Sequence, residues 1–166
     1  MIQKPYKIIG CFIAISLFLC AHSSAQEAEA VRWLTFEQLE DSLATNRGND
    51  RPKKIFIDFY TNWCAYCRKM DKVVFTKPEV IDVLNEQYYA LRLDAEAEAK
   101  IAFGGQIFIN DQVDKSRTPI HQVAQLLALR EGQFAPPTLV ILDQDFNVTA
   151  RYFEYLSSKQ LLNVLK

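Results

Sequence analysis

An apolar run, Ile55-Phe56-Ile57-Asp58-Phe59-Tyr60, stands just ahead of Trp63-Cys64-Ala65-Tyr66-Cys67, and Arg68-Lys69-Met70 reads as the continuation of a helix. Short, aromatic and β-branched, the run has the character of a buried central strand. A chain with this stretch is committed to a strand that turns directly into a helix, with two cysteines at the turn. A Cys-x-x-Cys pair in that setting is a redox signature. Unpaired backbone N–H groups and the positive end of the helix dipole favour a thiolate over a thiol there. Cys64 is therefore the candidate nucleophile, and Cys67, one helical turn on, is placed to resolve a mixed disulfide. Two other readings compete. A structural staple would close a very short loop, where a disulfide contributes least. A structural zinc site takes four ligands, and beyond the first 25 residues His121 is the one other Cys or His.

Length and charge narrow the classes. The chain has 166 residues, 49% of them hydrophobic, enough for one domain with a substantial core. Its formal net charge of −1 gives no basic surplus for nucleic acid. Lys4 and Lys7 precede an apolar stretch over 8–19, and Ser23-Ser24-Ala25 supplies small residues before Gln26. That is the layout of a secretory signal peptide over 1–25. The stretch falls short of the roughly 20 apolar residues that span a bilayer. A retained membrane anchor and a lipidated Cys20 are the alternatives, although the bulky Leu19 suits lipid attachment poorly. Export removes Cys11 and Cys20 with the leader and leaves Cys64 and Cys67. A domain of this size does not depend on disulfides for stability, so one closely spaced pair points to chemistry.

Residues 26–34 form a polar lead-in. Thr35 with Gln38 makes a capping box for a helix whose Phe36, Leu39 and Leu43 face inward, and turn formers over 46–52 end it. After the cysteines, Met70, Val73 and Val74 continue an apolar helical face. Thr76 with Glu79 reads as a second capping box with Pro78 in the first turn, opening a helix with Val80, Val83, Leu84 and Tyr88 inward. A strand over 89–93 follows, so helices and strands alternate as in an α/β sheet with parallel pairing. Residues 95–100, rich in alanine and glutamate, read as a solvated loop with a helix as the alternative, and 101–110 as a hairpin turning at Gly104-Gly105. Thr118-Pro119 opens a helix to about residue 130 that Gly132 ends, with Ile120, Val123, Leu126 and Leu127 inward. His121 falls in its first turn, where a lone histidine is a surface or capping residue more often than a chemical one. A buried strand over 138–142, a turn, and an antiparallel strand over 148–153 follow. Ser157 and Gln160 open the last helix, with Leu161, Leu162 and Leu165 against the sheet.

These motifs together resemble the thioredoxin family. Ile57-Asp58-Phe59-Tyr60 followed by Trp63-Cys64-x-x-Cys67 is similar to its active-site strand and helix. Pro137-Thr138-Leu139-Val140 resembles its Pro-Thr element, whose proline is cis and packs against the cysteine pair. Leu156-Ser157 and the helix after it resemble the family's last element. The resemblance runs over 35–166 apart from an insertion at 97–132, between the third strand and the cis-proline strand. It implies an α/β thioredoxin-like fold, a central mixed sheet flanked by helices. It also implies that Cys64 is the nucleophile, Cys67 the resolving thiol, and Asp58 a buried acid that takes the Cys67 proton. Trp63, Tyr66, Pro136 and Pro137 would line the substrate groove. Several positions depart from the family. Ala65-Tyr66 replaces the Gly-Pro of thioredoxin, and a tyrosine before the second cysteine is similar to some periplasmic disulfide isomerases. The dipeptide lacks the histidine of strong oxidases. No lysine stands on strand 89–93 where thioredoxin has one near the buried acid; Ala90 falls there by spacing from Asp94. Pro136 has no N–H to donate to a substrate backbone, and Glu154 stands in place of a glycine.

For function, the resemblance implies an exported, periplasmic thiol–disulfide oxidoreductase, a protein-disulfide reductase or isomerase most like the reductases of bacterial envelopes. It would act on protein disulfides as a monomer. It would need no metal or organic cofactor beyond the Cys64–Cys67 pair. A membrane-bound or periplasmic redox partner would recharge it, since an oxidising compartment has no free reducing supply. The competing class is a binding module or redox sensor that holds a partner through 97–132, a segment long enough to carry function of its own.

Overall fold

The computed structural model of the protein describes residues 30–46 and 52–166. The expected leader over 1–25, with Cys11 and Cys20, lies outside the described residues, as does most of the turn expected over 46–52. In chain order the elements are β1 (Trp33–Leu34), α1 (Phe36–Thr45), β2 (Lys54–Tyr60), α2 (Ala65–Val73), α3 (Pro78–Gln87), β3 (Tyr88–Asp94), β4 (Ile101–Phe103), β5 (Gln106–Phe108), α4 (Gln122–Leu127), β6 (Leu129–Arg130), β7 (Gln133–Phe134), β8 (Thr138–Leu142), β9 (Val148–Tyr152) and α5 (Ser158–Val164). Five strands make one mixed sheet in the order β1-β3-β2-β8-β9. β1 and β2 run parallel to β3, whereas β8 is antiparallel to β2 and β9 to β8. The β8–β9 register slips between Ile141 and Leu142, a bulge in the outer pair.

β2 is central because it is apolar on both faces. Its pleat sends Ile55, Ile57 and Phe59 to one side, where they pack with Leu91 and Val140 under Leu39 of α1 and Val123 and Ala124 of α4. Phe56 goes to the other, with Ala90, Leu139 and Ile141, under Met70 of α2, Val80 and Leu84 of α3 and Leu161 of α5. Each fully buried side chain of this size contributes roughly 1.5–3 kcal/mol, so two apolar layers fix β2 and with it the start of α2. Asp58 is the one polar residue in the buried part of β2. Alternation puts it on the α2 side.

Local signals set several helix starts. Thr35 Oγ1 accepts from Gln38 N at 3.2 Å, and Gln38 Oε1 accepts from Thr35 N at 2.9 Å. Ser157 and Gln160 repeat this box at α5. The box expected from Thr76 and Glu79 does not form. Pro78 takes the first helical position, the cap falls on Lys77 without a side-chain bond, and Thr76 Oγ1 donates back to Lys72 O. Val73, expected inward, is exposed, because α2 ends there and the turning chain buries Val74 and Phe75 instead. Tyr88 is buried as expected but opens β3 rather than ending a helix.

The insertion also corrects the sequence reading. β4 and β5 turn at Gly104-Gly105 as expected, both at positive φ, which glycine adopts without steric cost. The helix expected over 118–130 is shorter. Thr118, Pro119 and Ile120 stay outside it, His121 is its N-cap, and Leu129–Arg130 leaves to pair with β7 around Glu131 and Gly132. Leu126, expected inward, is exposed. Arg151 Nε of β9 donates to Leu127 O at 2.6 Å, tying the outer strand to the end of α4. Among the described residues no helix is long and apolar enough to cross a membrane.

Candidate active site

β2 ends at Tyr60, and Cys64 is the N-cap of α2. Its N–H donates to Thr61 O at 3.1 Å, which fixes the turn, and its Sγ accepts from Cys67 N at 3.0 Å. Cys64 and Cys67 are joined as a disulfide with Cα atoms 5.3 Å apart. Both residues are buried, 4% and 2% exposed. The Cys64 sulfur therefore sits against a helix N-terminus, where an N–H donor and the helix dipole stabilise negative charge on it once the pair is reduced.

The β2–β3 register puts Asp58 opposite Arg92. Arg92 Nε lies 3.1 Å from Asp58 Oδ2, and its Nη2 lies 2.6 Å from Asp71 Oδ1. Asp71 is on α2 four residues past Cys67, hence on the same face of the helix. Arg92 thus ties the buried acid to the helix that carries the cysteines. These are contacts of charge, since neither Arg92 Nε nor Asp71 Oδ1 makes an aligned hydrogen bond. The guanidinium also lies 4.2 Å from the centroid of the Tyr60 ring. Asp58 is 2% exposed, and burial raises its pKa to about 7; the Asp71 charge pushes the same way and Arg92 opposes both. A carboxyl at that value exchanges its proton near neutral pH. The cation that spacing from Asp94 assigns to position 90, and so counts as missing, is in fact Arg92. Ala90 pairs with Phe56 and Trp33 instead.

The other candidate residues surround the pair's outer side. Trp63 is 59% exposed, and its Nε1 donates to Glu96 Oε1 at 3.0 Å. Tyr66 is 61% exposed and tilts against Tyr155, with ring centroids 6.0 Å apart. The Lys69 ammonium lies 4.7 Å from the Tyr155 centroid. The Pro136–Pro137 bond is cis, with Pro137 buried and Pro136 half-buried. Thr138 pairs with Phe59, so Pro137 comes level with the end of β2, where the chain leaves for Cys64. Among the described residues no group of three or more His, Cys, Asp and Glu side chains is gathered to hold a metal.

The family profile described as a thioredoxin-like domain matches residues 39–166. The chain belongs to that family. Its thioredoxin-like domain is 32% identical over 99 residues to the thiol:disulfide interchange protein DsbD 2 of Pseudomonas aeruginosa, a match covering 58% of this chain and 16% of that protein. It is 35% identical over 52 residues to DsbD of Salmonella typhi, covering 31% and 8%. The chain therefore matches a small part of the length of these curated relatives. Among solved structures, a DsbH oxidoreductase superposes with a TM-score of 0.55 at 16% identity, covering 84% of this chain and 85% of that one. A thioredoxin-fold protein from Helicobacter pylori gives 0.52 at 21%, covering 74% and 76%. At such identities the likeness is one of fold. Family and cysteine pair together support thiol–disulfide oxidoreductase chemistry.

Four residues of this thioredoxin-like domain escape the sequence reading: Arg92, Asp71, Glu96 and Tyr155. For Arg92 a signal existed, a charge between apolar residues on an otherwise buried strand. Asp71 shares a helix face with Cys67, which spacing alone shows. Glu96 and Tyr155 meet Trp63 and Tyr66 from 33 and 89 residues away in sequence, and nothing local marks them.

Proposed function

We propose that this thioredoxin-like protein is exported and reduces or isomerises protein disulfides. The observation that carries the reading is Cys64 at the N-cap of α2, bonded to Cys67, with a buried acid tied to the same helix and titrating near neutrality. In the reduced protein the Cys64 thiolate attacks one sulfur of a substrate disulfide. A Cys64–substrate bond forms as the substrate S–S bond breaks, and the first substrate sulfur leaves as a thiolate. Asp58 takes the proton of Cys67, whose sulfur attacks Cys64 Sγ. The Cys64–Cys67 bond closes, the mixed disulfide opens, and the second substrate sulfur leaves. Two electrons pass to the substrate, whose two sulfurs take up two protons. In isomerisation a thiol of the substrate itself displaces Cys64, and no electrons are transferred overall.

Trp63, Tyr66, Pro136 and Pro137 form the groove that receives the substrate chain, and no metal or organic cofactor takes part. The absence of a histidine between the cysteines supports reduction or isomerisation over oxidation. Export rests on the charged, apolar and small-residue layout of 1–25. In an oxidising compartment another thiol–disulfide redox protein, in or at the membrane, must return the two electrons. The interchange proteins among the relatives support that class of partner. The protein works as a monomer. The test is insulin-disulfide reduction with dithiothreitol as donor, run beside Cys64→Ser. The wild type is expected to reduce insulin and the variant to match the uncatalysed rate. Equal, near-zero catalysis by both would overturn the reading in favour of a binding module.

A further inference from the structure

Residues 97–132 do no chemistry in that cycle, yet their polar groups converge on the loop that follows β3. Asn110 is buried, and its Nδ2 donates to the Ala97 and Pro119 carbonyls at 3.1 Å each and reaches the Glu96 carbonyl at 3.5 Å. Its Oδ1 accepts from Gln112 N at 3.2 Å. His121 is fully buried, and its backbone N–H donates to Ala95 O at 2.8 Å. Its Nδ1 accepts from Val123 N, which leaves Nε2 to carry the proton toward Ala99 O at 3.2 Å. Asn110 and His121 thus engage the carbonyls of residues 95 and 96 ahead of the insertion and of 97 and 99 at its start. The same loop holds the segment just before Cys64. Asp94 Oδ2 accepts from Asn62 Nδ2 at 2.8 Å, Asp94 Oδ1 accepts from Glu96 N at 3.0 Å, and Glu96 Oε1 accepts from Trp63 Nε1. From Asn110 a path to Trp63 thus runs through the backbone of residues 96 and 97 and the Glu96 side chain.

We infer that Asn110 and His121 are positioning residues: through them the insertion braces the loop over 94–99, so that Glu96 holds Trp63 as a fixed wall for a protein substrate. The inference rests on the proposed reading of Trp63 as part of the groove. An exposed indole is free to change rotamer, and so is a half-buried glutamate. Neither holds the other unless the backbone beneath Glu96 is itself fixed. That backbone has no helix or strand of its own over 95–100, and its carbonyls need donors. The insertion brings them. A wall ordered before binding removes an ordering cost from the complex. A small disulfide that touches only the sulfurs has no use for it.

The experiment uses the full chain and Asn110→Ala. In the oxidised protein, hydrogen exchange of the Trp63 indole N–H is followed by nitrogen-15 NMR. Exchange is expected to quicken about tenfold, and equally in Glu96→Ala, since one hydrogen bond contributes on the order of that factor. The double variant should exchange no faster than Glu96→Ala alone, because both changes break one path. In turnover, KM for insulin should rise about fivefold, part of the worth of one ordered side chain, while kcat and the rate with glutathione disulfide stay unchanged. If Asn110→Ala does not fold, His121→Asn keeps an N-cap side chain for α4, gives up the Ala99 contact, and should move the same readouts in the same direction. Unchanged indole exchange in a folded variant, additive effects in the double variant, or equal loss with both substrates would overturn the inference. Should the wild type reduce neither substrate, the proposed function fails while the indole exchange still decides the brace.

Discussion

Replacing Asp58 with asparagine tests the electrostatics of the site without touching a cysteine. The carboxyl titrates at about 7 in the folded protein against an ordinary value of 3.8, so the native state holds a proton that the unfolded chain has released. Between those two values the native state binds more protons, and stability must fall as pH rises. Below the lower value Asp58 is neutral in both states and costs nothing. Above about 7 the whole difference between the two values applies, a penalty of about 4 kcal/mol. Most of the change falls within reach of ordinary assays: between pH 5 and pH 8 the wild type should lose about 2–3 kcal/mol that Asp58→Asn keeps. The amide fills the same space and leaves Arg92 its contact with Asp71. At pH 8 the variant should therefore be the more stable protein, by about 2–4 kcal/mol. Urea unfolding of both oxidised proteins at several pH values measures this directly. Parallel stability curves would refute the reasoning, because they would mean that Asp58 changes neither charge nor environment across the window.

Two further outcomes follow from the same geometry and from the helix starts. Arg92→Met removes the cation shared by Asp58 and Asp71; with Arg92 a quarter exposed, the loss should be about 2 kcal/mol at pH 8 and clearly smaller at pH 5, where Asp58 is neutral. Equal losses at both pH values in urea unfolding would count against a charged Asp58 at pH 8. Thr35→Ala should cost about 1 kcal/mol as a lost N-cap, whereas Thr76→Ala, whose hydroxyl only back-bonds to Lys72 O, should stay within about 0.5 kcal/mol. A thermal-melt series on the pair separates the two directly.

What could be read from the sequence was whatever a few neighbouring residues decide. The strand at 55–60, the cysteine turn and the boxes at Thr35 and Ser157 are each specified within six residues or fewer, and each stands as expected. Where two local signals competed, the stiffer one won. Pro78 fixed the start of α3 at Lys77, and the Thr76–Glu79 box could not form around it. β1 has two residues and exists through its pairing with β3, so no pattern within Trp33–Leu34 announces it. Leu126 follows helical spacing, but α4 ends early as Leu129 turns into a hairpin, and its outer face lies open. Arg92 was hidden by counting along one strand for a relation that is set across two. Asp58 meets whatever register places opposite it, and that is fixed by how β2 and β3 pack.

The bulge between β8 and β9 bears on how this molecule survives crowding. An open sheet has two borders, each able to recruit an unfolded chain as an extra strand. On one side the border is β1, two residues long, too brief to template anything. On the other, β9 is kinked by its register slip, and Arg151 near its end is drawn toward the end of α4 by the Leu127 carbonyl. An incoming strand would meet a twisted ladder and a guanidinium already engaged. Whatever chain comes to the cysteines, such borders keep its strands from joining this sheet.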